Sequence, residues 1–406
     1  MRSDSDDGTG DPADNGTQLR QRLGLTATVD SGSSRVPLPD PYAETCLDET
    51  CCADDSLTQL AKATFRKLSS KVGTSKRRKW KPTPVQLQAW PMLRSRRGAQ
   101  FSPEAPPPKL IAIATTGSGK TLSYALPMVD SCAAARGETP PRGVHGLVLV
   151  PTRELALQVS KVLKTVAKAA HKLRGEADRI VALAIYGGVN REEQLASLGK
   201  EARFLLAATP ARLLDLLGLG ANDGDGTPDR PDERARHLFQ STQYVVLDEA
   251  DQMAASGELS RQVDRILAFV RAPSRPMQEC LFSATLPRRV LAKCHEWMAC
   301  PRVTIKVDTV TVGDTAKSDL TGGSTAVEDA NTTVDRAGLV DLSTIPSHIT
   351  QILHVCSQHK KPKKLLTTIQ KIRNDEKARG NNRRKGLLVV FFGRIKTLQC
   401  VFLLLH

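Results

Sequence analysis

The sequence predicts an α/β fold built on a parallel, doubly wound sheet with helices on both faces. Short apolar runs alternate with helical stretches between residues 110 and 307. A glycine-rich turn joins the first run to a helix, and a later run ends at Asp248-Glu249. Because strands that alternate with helices form right-handed βαβ units, these observations together indicate a parallel sheet.

The predicted elements follow one another along the chain with few interruptions. The expected strands are 110–113, 146–150, 180–185, 204–207, 244–247, 279–282 and 303–307. The expected helices are 57–68, one starting near 85, 120–128, 151–170, 192–200, 212–217, 259–270 and 288–298. A polar stretch over 219–236 is expected to be a surface insertion.

Four segments are expected from length and local composition. The 406 residues exceed one ordinary domain. Residues 1–55, rich in Asp, Gly, Ser, Thr and Pro, are predicted to be a disordered acidic tail. Residues 56–307 form the first domain, and 308–344 read as a linker. Residues 345–406 begin a second α/β domain, with strands expected at 349–355 and 386–392 around a helix at 364–372.

Composition and charge suit a soluble intracellular protein with a polyanionic partner. The net charge is +15, yet residues 1–50 carry ten acids and four bases, so the rest of the chain carries +21. A positive charge of this size on the rest of the chain favours a nucleic-acid partner. The alternative is a basic surface without such a partner. Nine scattered cysteines without a C-x-x-C pair indicate reduced thiols. The chain lacks a signal-peptide core and a membrane-length apolar run. The sequence does not decide whether the protein is located in the nucleus, the nucleolus or the cytoplasm.

The stretch LIAIATTGSGKTL over 110–122 has the pattern of a triphosphate cradle. An apolar strand leads into a turn with Gly117 and Gly119, and Lys120 and Thr121 open a helix. Backbone N–H groups of such a loop bind phosphates, the lysine reaches the β- and γ-phosphates, and the hydroxyl can ligate Mg²⁺. An ordinary glycine-rich turn is the alternative, since Ala114 stands where the general pattern has glycine.

Two further groups have the chemistry that a nucleotide site needs. Asp248 and Glu249 follow the apolar strand residues 245–247, at the sheet edge where open α/β sheets bind ligands. An aspartate there can hold Mg²⁺ through water, and a neighbouring glutamate can activate the attacking water. Gln86 lies between rigid prolines and a helix start, where its amide could read an adenine edge.

These stretches, together with four others in the same order, resemble the motifs of the DEAD-box RNA helicases. The seven matching stretches are Pro82–Gln86, Ala114–Thr121, Pro151–Ala156, Gly187-Gly188, Thr209–Arg212, Asp248–Asp251 and Ser283–Thr285. The family's phosphate loop begins with alanine, which accounts for Ala114. The resemblance covers about residues 57–306 and, weakly, 349–397. It implies a RecA-like P-loop NTPase domain followed by the start of a second one.

The resemblance also implies a role for each matching residue. Nucleotide binding would involve Gln86, Thr115, Thr116, Gly117, Ser118, Gly119, Lys120 and Thr121. Lys120, Asp248 and Glu249 would be catalytic, with Mg²⁺ held by Thr121 and Asp248. The RNA backbone would be bound by Pro151, Thr152, Arg153, Gly187, Gly188, Thr209, Pro210 and Arg212. Ser283 and Thr285 would couple the nucleotide state to domain closure.

The implied function is that of an ATP-dependent RNA helicase that uses ATP and Mg²⁺. It would bind RNA through the RNA backbone and act as a monomer away from membranes. The resemblance does not decide whether protein cofactors take part. No stretch after 397 resembles the family's arginine-containing final motifs, so we expect a C-terminally truncated helicase that hydrolyses ATP poorly. The alternative is a non-catalytic RNA-binding or scaffold protein that retains an ATP-binding domain. A DNA helicase fits the motifs less well.

Overall fold

The computed structural model describes most of the first predicted domain and two short parts of the second. The described residues are 12–30, 56–69, 81–93, 107–134, 142–174, 180–199, 202–219, 233–271, 277–307, 352–378 and 388–390. The chain divides into two compact units, Met1–Asp335 and Arg336–His406. That division falls within the predicted linker, and the domain boundaries themselves stay predictions.

The first unit contains an eight-stranded sheet in the order β1-β8-β2-β7-β6-β3-β5-β4. All neighbouring strands are parallel except β1, which runs antiparallel to β8. The strands are β1 Leu25–Asp30, β2 Lys109–Ile113, β3 Gly143–Leu149, β4 Ile180–Ile185, β5 Arg203–Ala208, β6 Tyr244–Asp248, β7 Gln278–Ser283 and β8 Arg302–Val307. Every strand predicted between 110 and 307 is present.

Eleven helices are described in this unit. They are α1 Pro12–Arg22, α2 Ser56–Ser69, α3 Pro84–Leu93, α4 Lys120–Ala134, α5 Arg153–Arg174, α6 Arg191–Leu198, α7 Pro210–Leu216, α8 Glu233–Phe239, α9 Ala250–Ala255, α10 Gly257–Val270 and α11 Arg288–Trp297. Local sequence sets several of their ends. The Ser256 hydroxyl, for example, accepts the Leu259 N–H at the start of α10.

Two apolar cores, one on each face of the sheet, confirm the doubly wound architecture. In β2, Leu110 and Ala112 join the core that includes residues of α2, α3, α4 and α5, whereas Ile111 joins the core with α7 to α11. Successive side chains of a strand point to opposite faces, so a strand covered on both faces must be apolar throughout. This is why the central strands are continuous apolar runs rather than alternating ones.

The expected disorder of residues 1–55 does not hold for residues 12–30. Strand β1 pairs with β8 from Leu25 opposite Val307 to Asp30 opposite Arg302, and Asp30 forms an ion pair with Arg302. The short pattern LTATVD becomes a strand because the edge of β8 offers unpaired backbone groups. The acidic, polar composition of residues 1–55 predicts disorder because it gives no sign of a pairing with a strand so far along the chain. Residues 1–11 and 31–55 lie outside the described residues.

The predicted polar insertion over 219–236 is interrupted near its end by α8. Residues Ala235 and Phe239 of that helix are buried against the second core. Residues 220–232 lie outside the described part of the chain. The short helix α9, directly after the acidic pair, was also not predicted. It lies between the Asp248-Glu249 pair and the Ser256 cap that starts α10.

The second unit is described at residues 352–378 and 388–390. A 3₁₀ turn at Gln358–Lys360 leads into helix α12, Lys361–Ala378, which contains the predicted helix. The strands expected at 349–355 and 386–392 are not formed at 352–355 or 388–390. Leu353 and Val355 are 89% and 93% exposed. A strand needs a paired neighbour, and no described residue pairs with these.

Among the described residues, no helix is both long and apolar enough to cross a membrane.

Candidate nucleotide and nucleic-acid site

The carboxyl ends of six neighbouring parallel strands carry six of the seven matching stretches, and the seventh, Pro82–Gln86, leads into α3. Three adjacent strands, β2, β7 and β6, end at the phosphate loop, at Ser283 and at Asp248. The next three, β3, β5 and β4, lead into the stretches that begin at Pro151, Thr209 and Gly187. We call these two groups the nucleotide edge and the RNA-motif edge. They lie side by side because β6 pairs with β3.

The phosphate loop is held between β2 and α4. The Ala114 N–H donates to the Ser283 carbonyl at 3.0 Å, which continues the pairing of β2 with β7 past the strand end. Gly117 and Gly119 have φ angles of +81° and +94°, a region that favours glycine. The N–H groups of Lys120 and Thr121 have no backbone acceptor among the described residues, as expected in the first turn of a helix. They are available to an anion.

Gln86 is held by the protein on both sides of its amide. Its Oε1 accepts the Thr83 N–H at 3.0 Å, and its Nε2 donates to the Gly119 carbonyl at 3.1 Å. The side chain is buried, and a Cβ on Gly119 would lie 2.4 Å from Nε2. Gln86 therefore joins the start of α3 to the phosphate loop. Its predicted contact with adenine stays a prediction, and would use the second amide hydrogen or the second lone pair.

Asp248 is a buried carboxylate held by two donors. The Tyr124 hydroxyl donates to Oδ2 at 2.8 Å, and the Glu249 N–H donates to Oδ1 at 3.0 Å. Burial raises the pKa of Asp248 from 3.8 to about 6, the Tyr124 hydrogen bond opposes that rise, and the Glu249 carboxylate adds to it. Burial and the charge of Asp248 raise the pKa of Tyr124 as well. The phenol therefore keeps its proton and donates it in the hydrogen bond to the carboxylate.

Lys120 and Glu249 converge on the loop. Lys120 is 6% exposed; its Nζ donates to the Ala114 carbonyl at 2.9 Å and lies 3.9 Å from Glu249 Oε1. Among the described residues, Glu249 is the one non-glycine residue with positive φ, at φ 53° and ψ 45°. This left-handed conformation costs free energy in a residue with a side chain, and such residues cluster at functional sites.

Ser283 and Thr285 link the end of β7 to the acidic motif. The Ser283 hydroxyl donates to the Thr285 carbonyl at 2.5 Å, and the Thr285 hydroxyl donates to Asp251 Oδ2 at 2.7 Å. Asp251 belongs to α9, which begins directly after Glu249. A displacement of the acidic motif would therefore reach Thr285. The coupling role implied by the family resemblance has this physical connection, and the role itself stays a prediction.

The RNA-motif edge is open to solvent. Thr152, Arg153, Gly187 and Gly188 are exposed, and a Cβ on Gly187 would meet nothing within 4 Å. The Arg153 guanidinium lies over the Tyr186 ring, 4.9 Å from its centroid. Cation–π contact of this kind keeps a guanidinium flat while its N–H groups stay free for phosphate.

Two predicted RNA residues are less available. Pro210 is buried at the start of α7. The Arg212 guanidinium is turned inward, where Nη2 donates to the Val189 carbonyl at 3.0 Å and Nε lies 3.7 Å from Asp215 Oδ2. Both residues set the position of the Thr209–Arg212 turn in this structure. Their contact with RNA stays a prediction and would require Arg212 to change partners.

The residues of the nucleotide edge fit a magnesium-bound triphosphate. Mg²⁺ prefers oxygen ligands and keeps several waters, which suits the Thr121 hydroxyl and the Asp248 carboxylate. Among the described residues, the buried hydroxyls of Thr83 and Ser118 have no hydrogen-bond partner. Ser118 lies in the loop and Thr83 lies beside Gly119, where a polar ligand would satisfy them. With Lys120 as the counter-charge, the donor set matches the chemistry that the sequence predicts.

Three side chains of this site were given no role by sequence reasoning, although Asp251 ends the matching stretch Asp248–Asp251. They are Tyr124, Asp251 and Tyr186, which contact Asp248, Thr285 and Arg153 respectively. Tyr124 could have been found, because residues four apart share a helix face and Lys120 is one turn before it. The other two depend on contacts between separate strand ends, which no local spacing indicates.

The fold and the nucleotide edge define an α/β protein with a glycine loop for a nucleoside triphosphate. Comparison with known families makes this specific: residues 83–293 match the model of the DEAD/DEAH box helicases. The chain belongs to the DEAD/DEAH box helicase family.

Curated relatives support the same assignment over about half of the chain. The ATP-dependent RNA helicase DBP2 of Vanderwaltozyma polyspora is 35% identical over 221 residues, which are 54% of this chain and 41% of that protein. The probable ATP-dependent RNA helicase DDX46 of Danio rerio is 38% identical over 221 residues, 54% of this chain and 18% of that protein. The chain thus covers less than half the length of either relative.

A solved structure shows the same fold. The yeast DEAD-box splicing factor Prp28 superposes with a TM-score of 0.51 and 23% identity, covering 76% of this chain and 60% of that one. At this identity the likeness concerns the fold and not the function.

Proposed function

We propose that the protein is an ATP-dependent RNA helicase, which couples ATP binding and hydrolysis to RNA binding and local duplex unwinding. The observation that carries the proposal is the convergence of Lys120, Asp248 and Glu249 beside the phosphate loop. The adjoining RNA-motif edge lies on the same sheet, so nucleotide and RNA would bind to neighbouring strand ends. The named activities of DBP2 and DDX46 point the same way.

Each nucleotide-edge residue has a role in this proposal. The loop N–H groups and Lys120 bind the phosphates, with the lysine leaving the Ala114 carbonyl for phosphate oxygens. Thr121 and Asp248 hold Mg²⁺, which neutralises charge on the phosphates when bound. Glu249 accepts a proton from the attacking water or orients it. Its carboxylate lies 3.9 Å from Lys120 Nζ, so the two side chains would have to move apart when the γ-phosphate binds between them.

RNA recognition is proposed to occur through the backbone. Arg153, Thr152 and the Gly187-Gly188 turn are exposed on one edge and offer a charge, a hydroxyl and unshielded N–H groups. Such groups suit phosphate and 2′-OH, which carry little base identity. A monomeric state, and a location in nucleus, nucleolus or cytoplasm, stay predictions from the sequence.

The test is ATP turnover by the 406-residue chain with and without RNA. We expect RNA to stimulate hydrolysis, and Glu249→Gln to abolish the stimulated rate while ATP binding persists. Lys164→Ala, an exposed change on α5, is the control and should leave both unchanged. ATP binding without any turnover would remove the helicase proposal for this chain. RNA binding that does not depend on nucleotide would also count against it.

A second candidate is an RNA-binding or scaffold protein that binds ATP without turnover. Arginines that face the γ-phosphate contribute roughly 10³–10⁵ in rate in related NTPases. At the nucleotide edge the cation beside the loop is Lys120, and the two arginines of the matching stretches, Arg153 and Arg212, lie at the RNA-motif edge. We therefore expect slow turnover unless another arginine reaches the γ-phosphate. A rate that RNA does not raise, together with nucleotide-dependent RNA affinity, would favour the second candidate.

A further inference from the structure

A buried phenol contacts one of the two side chains proposed to hold Mg²⁺. Tyr124 has no exposed surface, and its hydroxyl donates to Asp248 Oδ2 at 2.8 Å. Thr121, the other proposed ligand, lies three residues before Tyr124 on α4. A side chain that belongs to none of the seven motifs therefore contacts a proposed metal ligand.

The phenol is itself held in place. Its ring packs against Phe282 of β7, with centroids 5.2 Å apart and planes at 57°. Its backbone belongs to α4, one turn after Lys120. The second carboxylate oxygen of Asp248 accepts the Glu249 N–H. Each oxygen of the carboxylate thus has one donor from a fixed element, and the carboxylate plane is set by the protein.

We propose that Tyr124 is a positioning residue that orients Asp248 toward Mg²⁺, an inference that rests on the proposed function. The phenol uses one lone pair of Oδ2 and leaves the others free for a metal-bound water. A carboxylate without this donor must lose rotational freedom when the ion binds. Partners behind a metal ligand typically change metal affinity by about 10–100-fold.

The test measures the Mg²⁺ dependence of nucleotide binding by the 406-residue chain. A fluorescent ATP analogue is titrated at a series of Mg²⁺ concentrations and in EDTA. Tyr124→Phe should raise the Mg²⁺ concentration at the binding midpoint about ten-fold. Affinity in EDTA should stay within about two-fold, because the loop and Lys120 are intact. A general structural defect would weaken binding in both conditions alike.

Tyr244→Phe is the matched control. Tyr244 is also a buried phenol, lies on the same strand as Asp248, and donates to the Leu93 carbonyl at 2.6 Å. Its loss should lower the melting temperature and leave the Mg²⁺ midpoint unchanged. An equal rise in midpoint for both variants would overturn the proposal, since the effect would then not depend on contact with Asp248.

Two further outcomes are decisive. A wild-type chain that binds the analogue without Mg²⁺ dependence would remove both this inference and the magnesium part of the proposed function. A Mg²⁺-dependent wild type with an unchanged midpoint in Tyr124→Phe would remove the inference alone. If Tyr124→Phe does not fold, Phe282→Leu keeps every hydrogen-bonding group but frees the ring. It should raise the midpoint by a smaller factor, and no rise would again overturn the proposal.

Discussion

The nucleotide edge and the RNA-motif edge occupy neighbouring strand ends of one sheet but are built differently. At the nucleotide edge, Gln86, Lys120 and Asp248 are buried and hydrogen-bonded within the protein. At the RNA-motif edge, Arg153 and Gly187 are exposed, and a neighbouring ring is the contact described for the arginine. The groups of the first edge are buried and bonded to neighbouring groups of the protein, whereas those of the second face an open surface.

The difference follows from what each edge is proposed to bind. A triphosphate is small and highly charged, so its site gains from groups that are already fixed and desolvated. A nucleic-acid backbone presents repeated phosphates over a long surface, and exposed cations contribute through counterion release without a fixed pocket. Substitutions should therefore have larger effects at the nucleotide edge, and four predictions test that ordering.

The largest effect is expected for Lys120→Ala. Loss of a buried cation that bonds to phosphate should weaken ATP affinity by about 100-fold or more, on the order of 3 kcal/mol. RNA affinity without nucleotide should stay within about two-fold. Fluorescent-nucleotide titration and RNA anisotropy measure the two. Equal losses of ATP and RNA affinity would show that the two edges are not separable.

The second prediction concerns the pH dependence of stability without nucleotide. The pKa of Asp248 is raised from 3.8 to about 6 in the folded protein, so the folded state binds this proton more tightly than the unfolded state. Its stabilising contribution is present below about pH 4 and is lost as pH rises through about 6. The lost contribution approaches about 3 kcal/mol, because the pKa of Asp248 differs by about two between the folded and unfolded states.

Asp248→Asn removes that titration. The wild-type free energy of unfolding should therefore fall relative to that of Asp248→Asn between pH 4 and pH 7. Urea unfolding of both proteins at matched pH measures this, and other titrating groups cancel in the difference. A difference that stays constant with pH would contradict the raised pKa.

The third prediction compares one glycine from each edge. Gly119→Ala puts a Cβ 2.4 Å from Gln86 Nε2 at a φ of +94°, and should cost about 1–3 kcal/mol of stability. Gly187→Ala meets nothing within 4 Å and should cost less than about 0.5 kcal/mol. Its effect should instead be weaker RNA binding. Urea unfolding separates the pair, and equal stability losses would break the comparison.

The smallest effect is expected for Tyr186→Leu. Removal of the ring under Arg153 should weaken RNA binding about three-fold, within the range of an exposed cation–π contact. Tyr186→Phe keeps the ring and is the control. RNA anisotropy at two salt concentrations measures both variants. In an Arg153→Ala background, Tyr186→Leu should have no further effect; an undiminished effect there would show that the ring acts on RNA by itself.

Much of the fold and site follows from local pattern. Apolar runs bounded by turns located all seven strands between 110 and 307, because a strand covered on both faces is recognisable by composition alone. The order of the seven motif stretches along the chain was sufficient to indicate the family. Lys120, Asp248 and Glu249 were predicted from residue type and from their positions after strands, and the structure brings them together.

Other features needed the tertiary structure, because they depend on residues far apart in sequence. Strand β1 exists through its pairing with β8, and the strands expected in the second unit are not formed in its described residues. The sheet order decided that the nucleotide motifs share one set of strand ends and the RNA motifs another. Local sequence determined which chemical groups the protein has. Long-range packing decided that Gln86 bonds to the phosphate loop and Tyr124 to Asp248. Such contacts join residues that are far apart in the chain, so no repeating pattern in the sequence indicates them.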